Sequence, residues 1–136
     1  MNYQEFCENL IKNRLLQPIW KLTIDMVSRQ FENENKEEYL KIFAMYFGLV
    51  DDGNICIPLD ESKLKDKWFN KVTSTRISLE ESGEVSLPIF DEIIKESGKV
   101  INGYIQDITE SNFPEIIGRN RLFEIEDGFL YSHKYN

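Results

Sequence analysis

The chain has 136 residues, and its 24 acidic side chains against 16 basic ones leave a formal charge of −8. A surface of that sign repels phosphate backbones unless its cations cluster, and no basic cluster stands out, so direct nucleic-acid binding is disfavoured. The length suits one domain over residues 1–136, and apolar and aromatic fractions of 41% and 12% exclude a disordered chain.

Residues 3–15 put Phe6 and Leu10, joined by Cys7 and Arg14, on one face at helical spacing. Gln17-Pro18 breaks this pattern, and Pro18 suits the first turn of a second helix, where a missing N–H costs nothing. Trp20, Ile24, Val27 and Phe31 then form an inward stripe, which Ile19, Leu22 and Met26 widen. The polar run from Glu32 to Glu38 is a loop whose acids suit the start of a third helix, over Lys36 to Val50. That helix is apolar nearly all round: Leu40, Phe43, Phe47 and Val50 line one face, and Ile42, Met45, Tyr46 and Leu49 cover much of the rest. It therefore belongs at the centre of the core.

Asp51-Asp52-Gly53-Asn54 ends the central helix, with Gly53 supplying the positive φ common at helix C-termini. Ile55-Cys56-Ile57 reads as a short strand closed by Pro58. Asp60 or Ser62 can cap a fourth helix carrying Leu64, Trp68 and Val72. Residues 73–86 are polar and read as a mobile loop, followed by a helix from Leu87 to Ser97 with Ile89, Ile93 and Ile94 inward and Gly98 as its stop. Residues 102–118 give no clear pattern. Leu122 to Ile125 and Phe129 to Tyr131, joined through Asp127-Gly128, form a hairpin signal. The expected fold is mainly α: about five helices, a short strand after the central helix and a C-terminal β-hairpin.

Little in this chain carries chemistry. An EF-hand loop with Gly53 at its sixth position would begin at Gly48, where an aspartate is needed, so Asp51 and Asp52 read as a helix end and not a metal site. Their one oddity is that acids at a helix C-terminus oppose the macrodipole. Cys7 and Cys56 lack metal or redox spacing and read as reduced thiols among apolar neighbours. His133, the only histidine, reads as exposed, and a Cys56–His133 hydrolase pair has no local signature behind it. The carboxylates of Glu80-Glu81 and Asp91-Glu92 read as solvated faces. Ser97-Gly98-Lys99 lacks the earlier glycine of a phosphate loop, because position 93 is isoleucine, and reads as a helix end. The sequence thus predicts no catalytic, cofactor-binding or metal-ligating residue, and no cofactor. The opening MNYQEFCENL lacks a signal peptide's basic start and apolar core, and no apolar run approaches the roughly 20 residues that span a bilayer; the cytoplasm is the expected location.

Four stretches, in order, carry a family resemblance: Leu16-Gln17-Pro18-Ile19; Asp52-Gly53-Asn54-Ile55-Cys56-Ile57-Pro58-Leu59 after a long apolar helix; Phe90-Asp91-Glu92-Ile93-Ile94 leading to Ser97 and Val100; and Gly128-Phe129-Leu130-Tyr131, followed by basic and aromatic residues to Tyr135. In these the chain resembles the N-terminal domain of the exodeoxyribonuclease V alpha subunit, the RecD helicase family. The resemblance spans nearly the whole chain, is loose over 60–86 and does not extend to 102–118. It implies a non-catalytic, mainly helical module that precedes a helicase motor and packs against a partner subunit of a helicase–nuclease complex. No G-x-x-x-x-G-K-[ST] motif occurs in the chain, so it further implies a piece of a longer protein whose ATPase motifs lie beyond Asn136. The expected function is an accessory protein–protein interaction domain in DNA repair. The alternative is a free-standing acidic cytoplasmic protein that binds and blocks a basic protein.

Overall fold

Asn2 starts the first helix by accepting the Glu5 N–H at 2.8 Å, and in the computed structural model, which describes residues 1–84, 87–110 and 113–132, that helix is α1, Tyr3–Lys12. It is followed by α2 (Pro18–Ser28), α3 (Lys36–Val50), β1 (Cys56–Pro58), α4 (Glu61–Glu81), α5 (Leu87–Thr109), β2 (Phe123–Glu126) and β3 (Phe129–Ser132). The expected mainly α architecture, with its strand after the central helix and its closing hairpin, is the one observed.

The central position of α3 is the organising fact. Eleven of its residues, from Tyr39 to Leu49, are buried. Helices α1, α2, α4 and α5 and strand β1 all pack against it. Two close approaches to one glycine make this possible. Gly48 sits where a Cβ would lie 2.7 Å from the Leu15 carbonyl oxygen and 2.9 Å from the Trp68 ring. The chain after α1 and the middle of α4 thus close directly onto the α3 backbone. Trp68 is fully buried there and donates its indole N–H to the Ser97 hydroxyl of α5 at 2.8 Å.

The three strands form one antiparallel sheet in the order β1-β3-β2. Asp127 and Gly128 both have positive φ (52° and 79°), the geometry that two-residue hairpin turns require. Pro58, which has no N–H to give a ladder, lies in the edge strand β1. The sheet is stitched to α3 by aromatic rings: Phe123 stacks on Phe43 at 4.7 Å and meets Tyr46 edge-on at 5.7 Å. The Tyr46 hydroxyl accepts the Ser132 N–H at 2.6 Å.

Several expectations are corrected. Helix α1 stops at Lys12; Arg14 takes a positive φ of 61° and points to solvent, while Leu15 and Leu16 turn inward. Residues 73–81 are not a loop but the second half of α4, capped at its start by Asp60, which accepts the Lys63 N–H at 2.9 Å. Helix α5 runs through Gly98 to Thr109, so Ser97-Gly98-Lys99 is a helix middle. The apolar series Phe90, Ile93, Val100, Ile101, Ile105 and Ile108 keeps one face of it buried. Residues 113–118, which show no pattern in sequence, cap the core through Phe113, Ile116 and Ile117. Phe113 packs on Tyr39 at 4.4 Å, and Ile117 bridges to Phe123. Of the two free thiols, Cys7 is in the core. Cys56 is only half-buried, opposite Tyr131 in the sheet, because alternation gives the inward position to Ile57.

Candidate interaction surface

The adjacent acids Asp51 and Asp52 hold helices together. Asp51 accepts the Gln17 N–H at 3.1 Å and the Trp20 indole N–H at 2.6 Å. Gln17 has no side-chain cap of its own, so a carboxylate from the end of α3 supplies the negative group at the start of α2. Asp52 pairs with Lys71 at 3.2 Å, and the same ammonium donates to the Gly48 carbonyl in the last turn of α3. That buried cation answers the oddity of acids at this helix end: Lys71 offsets them and satisfies a terminal carbonyl.

A second buried cation, Lys41, sits inside the apolar helix itself. Its ammonium makes three hydrogen bonds, to Glu96 at 2.7 Å, Glu38 at 3.0 Å and the Met1 carbonyl at 2.6 Å. Burial alone would lower its pKa, but the bonds to Glu96 and Glu38 more than offset this and hold it above the usual lysine value. Glu96 responds in kind: burial would raise it, and Lys41 pulls it below the usual carboxylate value. With all its donors engaged, the Lys41 amine has no free electron pair to act as nucleophile or base. Burial pushes the Cys7 thiol up to about 11, which disfavours the reactive thiolate.

The groove between Arg14 and α4 has a volume of about 570 Å³ and is lined by the polar face Lys67, Asn70, Lys71, Ser74, Thr75 and Ser78. Two of its cations are already matched: Arg14 to Glu84 at 3.0 Å and Lys71 to Asp52. Among the described residues no group of three or more His, Cys, Asp or Glu side chains is placed to hold a metal ion. His133 lies outside the described residues. Among those described, no helix is long and apolar enough to cross a membrane.

What the molecule leaves uncovered is the outer face of α2. Trp20, Ile24 and Val27 are inward as expected, but Ile19, Leu22 and Met26 are 58%, 63% and 54% exposed. They do not widen the core stripe; at spacings of three and four they form a second apolar ridge facing solvent. Only one flank of α2 meets α3, so a helix apolar on two flanks must show one of them. Beside this ridge runs a groove of about 490 Å³, walled by Thr23 and Gln30 on one side and Glu115, Asn120, Arg121 and Leu122 on the other. Its floor is Trp20 stacked on Phe47 at 4.6 Å, a rigid pair held by the Asp51 bond. Leu122, 42% exposed, continues the apolar surface across the groove.

Sequence reading misses this surface because it equates apolar with inward. The available signal is that α2 carries more apolar positions than one buried stripe can use. Comparison with family models, with curated proteins and with solved structures found no match.

Proposed function

We propose that this chain is an accessory protein–protein interaction domain of an ATP-dependent DNA helicase–nuclease, similar to the exodeoxyribonuclease V alpha subunit, and that this segment carries no chemistry of its own. The single observation behind the docking role is the exposed ridge Ile19, Leu22 and Met26 on a helix whose other face is core. Contiguous apolar side chains beside a groove are what docking sites offer and monomeric surfaces avoid. The occupant is another subunit of the complex or the motor domains of the same chain, and the compartment is the cytoplasm. The helicase setting rests on the ordered sequence stretches described above. Extending the reading frame past Asn136 tests it: a G-x-x-x-x-G-K-[ST] motif downstream supports the assignment, and a frame without one removes it.

The second reading is a free-standing acidic protein that binds and blocks a basic partner. The observation favouring it is the charge of −8 on a small domain, which speeds encounter with a positive surface. Capture of a basic protein that survives Leu22→Asp and is lost in high salt would select this reading over the first.

A further inference from the structure

Two exposed arginines border the apolar ridge and its groove in a molecule that is acidic as a whole, while Lys21 and Asp25 on the same helix pair with each other at 3.0 Å. Arg29 caps α2 in helical conformation, seven residues beyond Leu22 and three beyond Met26, so it extends the ridge by another turn. Arg121 sits on the far wall of the groove, beside Leu122 and facing Thr23 and Gln30. Both arginines are exposed, and among the described residues neither guanidinium holds a carboxylate. Arg14 and Arg76, elsewhere on the surface, each do, whereas Arg119, outside this groove, holds none among the described residues. One carboxylate, Glu115, shares the groove wall. A chain with eight excess acids therefore brings two arginines without a carboxylate, among the described residues, to its apolar ridge.

We propose that the α2 groove receives an amphipathic helix of a different protein or domain, one whose apolar stripe seats against Ile19, Leu22, Met26 and Leu122 and whose flanking carboxylates pair with Arg29 and Arg121. The proposal rests on the docking role given above and names the partner's chemistry. Of the four anchors only Leu122 lines the groove; Ile19, Leu22 and Met26 form the ridge beside it. Side chains at three- and four-residue spacing are the kind of ridge against which a second helix packs. Arginine is the side chain suited to bidentate capture of a carboxylate at such a rim. A second copy of this chain fits less well, because pairing would bring together two bodies that each carry a charge of −8.

Two synthetic helical peptides of about 18 residues, five turns long, test this. They share one leucine stripe and differ only in carrying Glu or Lys at the flanking positions. The emission of Trp20, on the groove floor, reports binding, while Trp68 is sealed in the core. The Glu peptide should bind about tenfold more tightly than the Lys peptide at low salt, and added salt should erase the difference. Arg29→Glu with Arg121→Glu should reverse the preference, and Leu22→Asp, at a position too exposed to matter for folding, should abolish binding of both. Preference for the Lys peptide, which the overall charge alone would give, overturns the proposed partner while leaving the docking face intact. Binding of neither peptide overturns the groove as a helix site, as does a dimer in sedimentation that Leu22→Asp dissolves, because the occupant would then be a second copy. Binding indifferent to Leu22→Asp removes the docking face itself and with it the docking role.

Discussion

Lys41 is the residue whose surroundings say most about how this sequence specifies one structure. A lysine 1% exposed in the middle of the most apolar helix is tolerable only because Glu38 of its own helix, Glu96 of α5 and the Met1 carbonyl meet its ammonium together. Lys41→Met keeps the volume but leaves two carboxylates facing each other without a cation. Its expected cost is about 3–5 kcal/mol, read from the urea midpoint. Replacing all three side chains with apolar ones should recover much of that loss. The same cluster sets the acid limb of stability. The folded pKa of Glu96 lies below its unfolded value, so its contribution is present above the unfolded pKa near 4.5 and is lost as pH falls through the folded one. On the alkaline side the sign reverses. Cys7 titrates near 9.0 when unfolded and about 11 when folded, so stability falls between those values by on the order of 3 kcal/mol as the unfolded thiolate forms. Urea midpoints against pH should show this fall, and Cys7→Ala should remove the part that begins near pH 9, while burial of the Tyr3 and Tyr39 hydroxyls, which raises both, keeps a later fall above pH 10. An unchanged onset in that variant would assign the first fall elsewhere. None of this is readable from sequence, because a lysine among apolar residues gives no hint of which distant carboxylate it will meet.

At the scale of elements, two glycines separate what a sequence pattern can report from what packing decides. Gly98 follows a polar pair, where glycine commonly stops a helix. Yet the apolar series of α5 continues in phase across it, and the helix runs on to Thr109. Periodicity is the better signal here. Gly98 lies inside the helix, and a Cβ added to it would meet only the Phe69 ring, at 3.6 Å, which is ordinary contact. Gly98→Ala should therefore raise stability by about 0.5–1 kcal/mol, where a true left-handed stop would lose stability instead. Gly48 is the opposite case. A methyl there collides with the Leu15 carbonyl and the Trp68 ring, so Gly48→Ala should cost about 1–3 kcal/mol, visible as a lowered thermal midpoint. The central helix, the Asp51–Asn54 corner and the Asp127-Gly128 turn are legible in sequence because local chemistry determines each. The second half of α4 is not: after Val72 only Leu79 is buried, so most of two turns present no apolar face to detect. Ile19, Leu22 and Met26 mislead for a related reason. Hydropathy says what a side chain prefers, whereas the neighbouring elements decide which flank gets covered.

For the whole molecule, the buried apolar side chains among the described residues form one contiguous cluster that begins at Tyr3 and ends at Leu130. Chain ends far apart in sequence are joined through α3: Lys41 ties it to Met1, Tyr39 to Asp107 at 2.8 Å, and Tyr46 to Ser132. No part of this core can open without exposing another, because the ring of Phe123 in the hairpin stacks on the same helix that α1 and α2 cover. Unfolding should therefore be two-state. Two tryptophans allow the test without labels, since Trp20 reports the α2–α3 contact and Trp68 the α3–α4–α5 contact. Trp20→Phe and Trp68→Phe each leave one reporter, and far-UV circular dichroism follows the helices. Within each variant, urea curves from fluorescence and dichroism should superimpose, with one midpoint and one slope. A Trp20 transition that precedes the loss of helicity would mean that α2 detaches first. The exposed ridge would then belong to a loosely held helix, and the groove beside it would not be the preformed surface that helix docking requires.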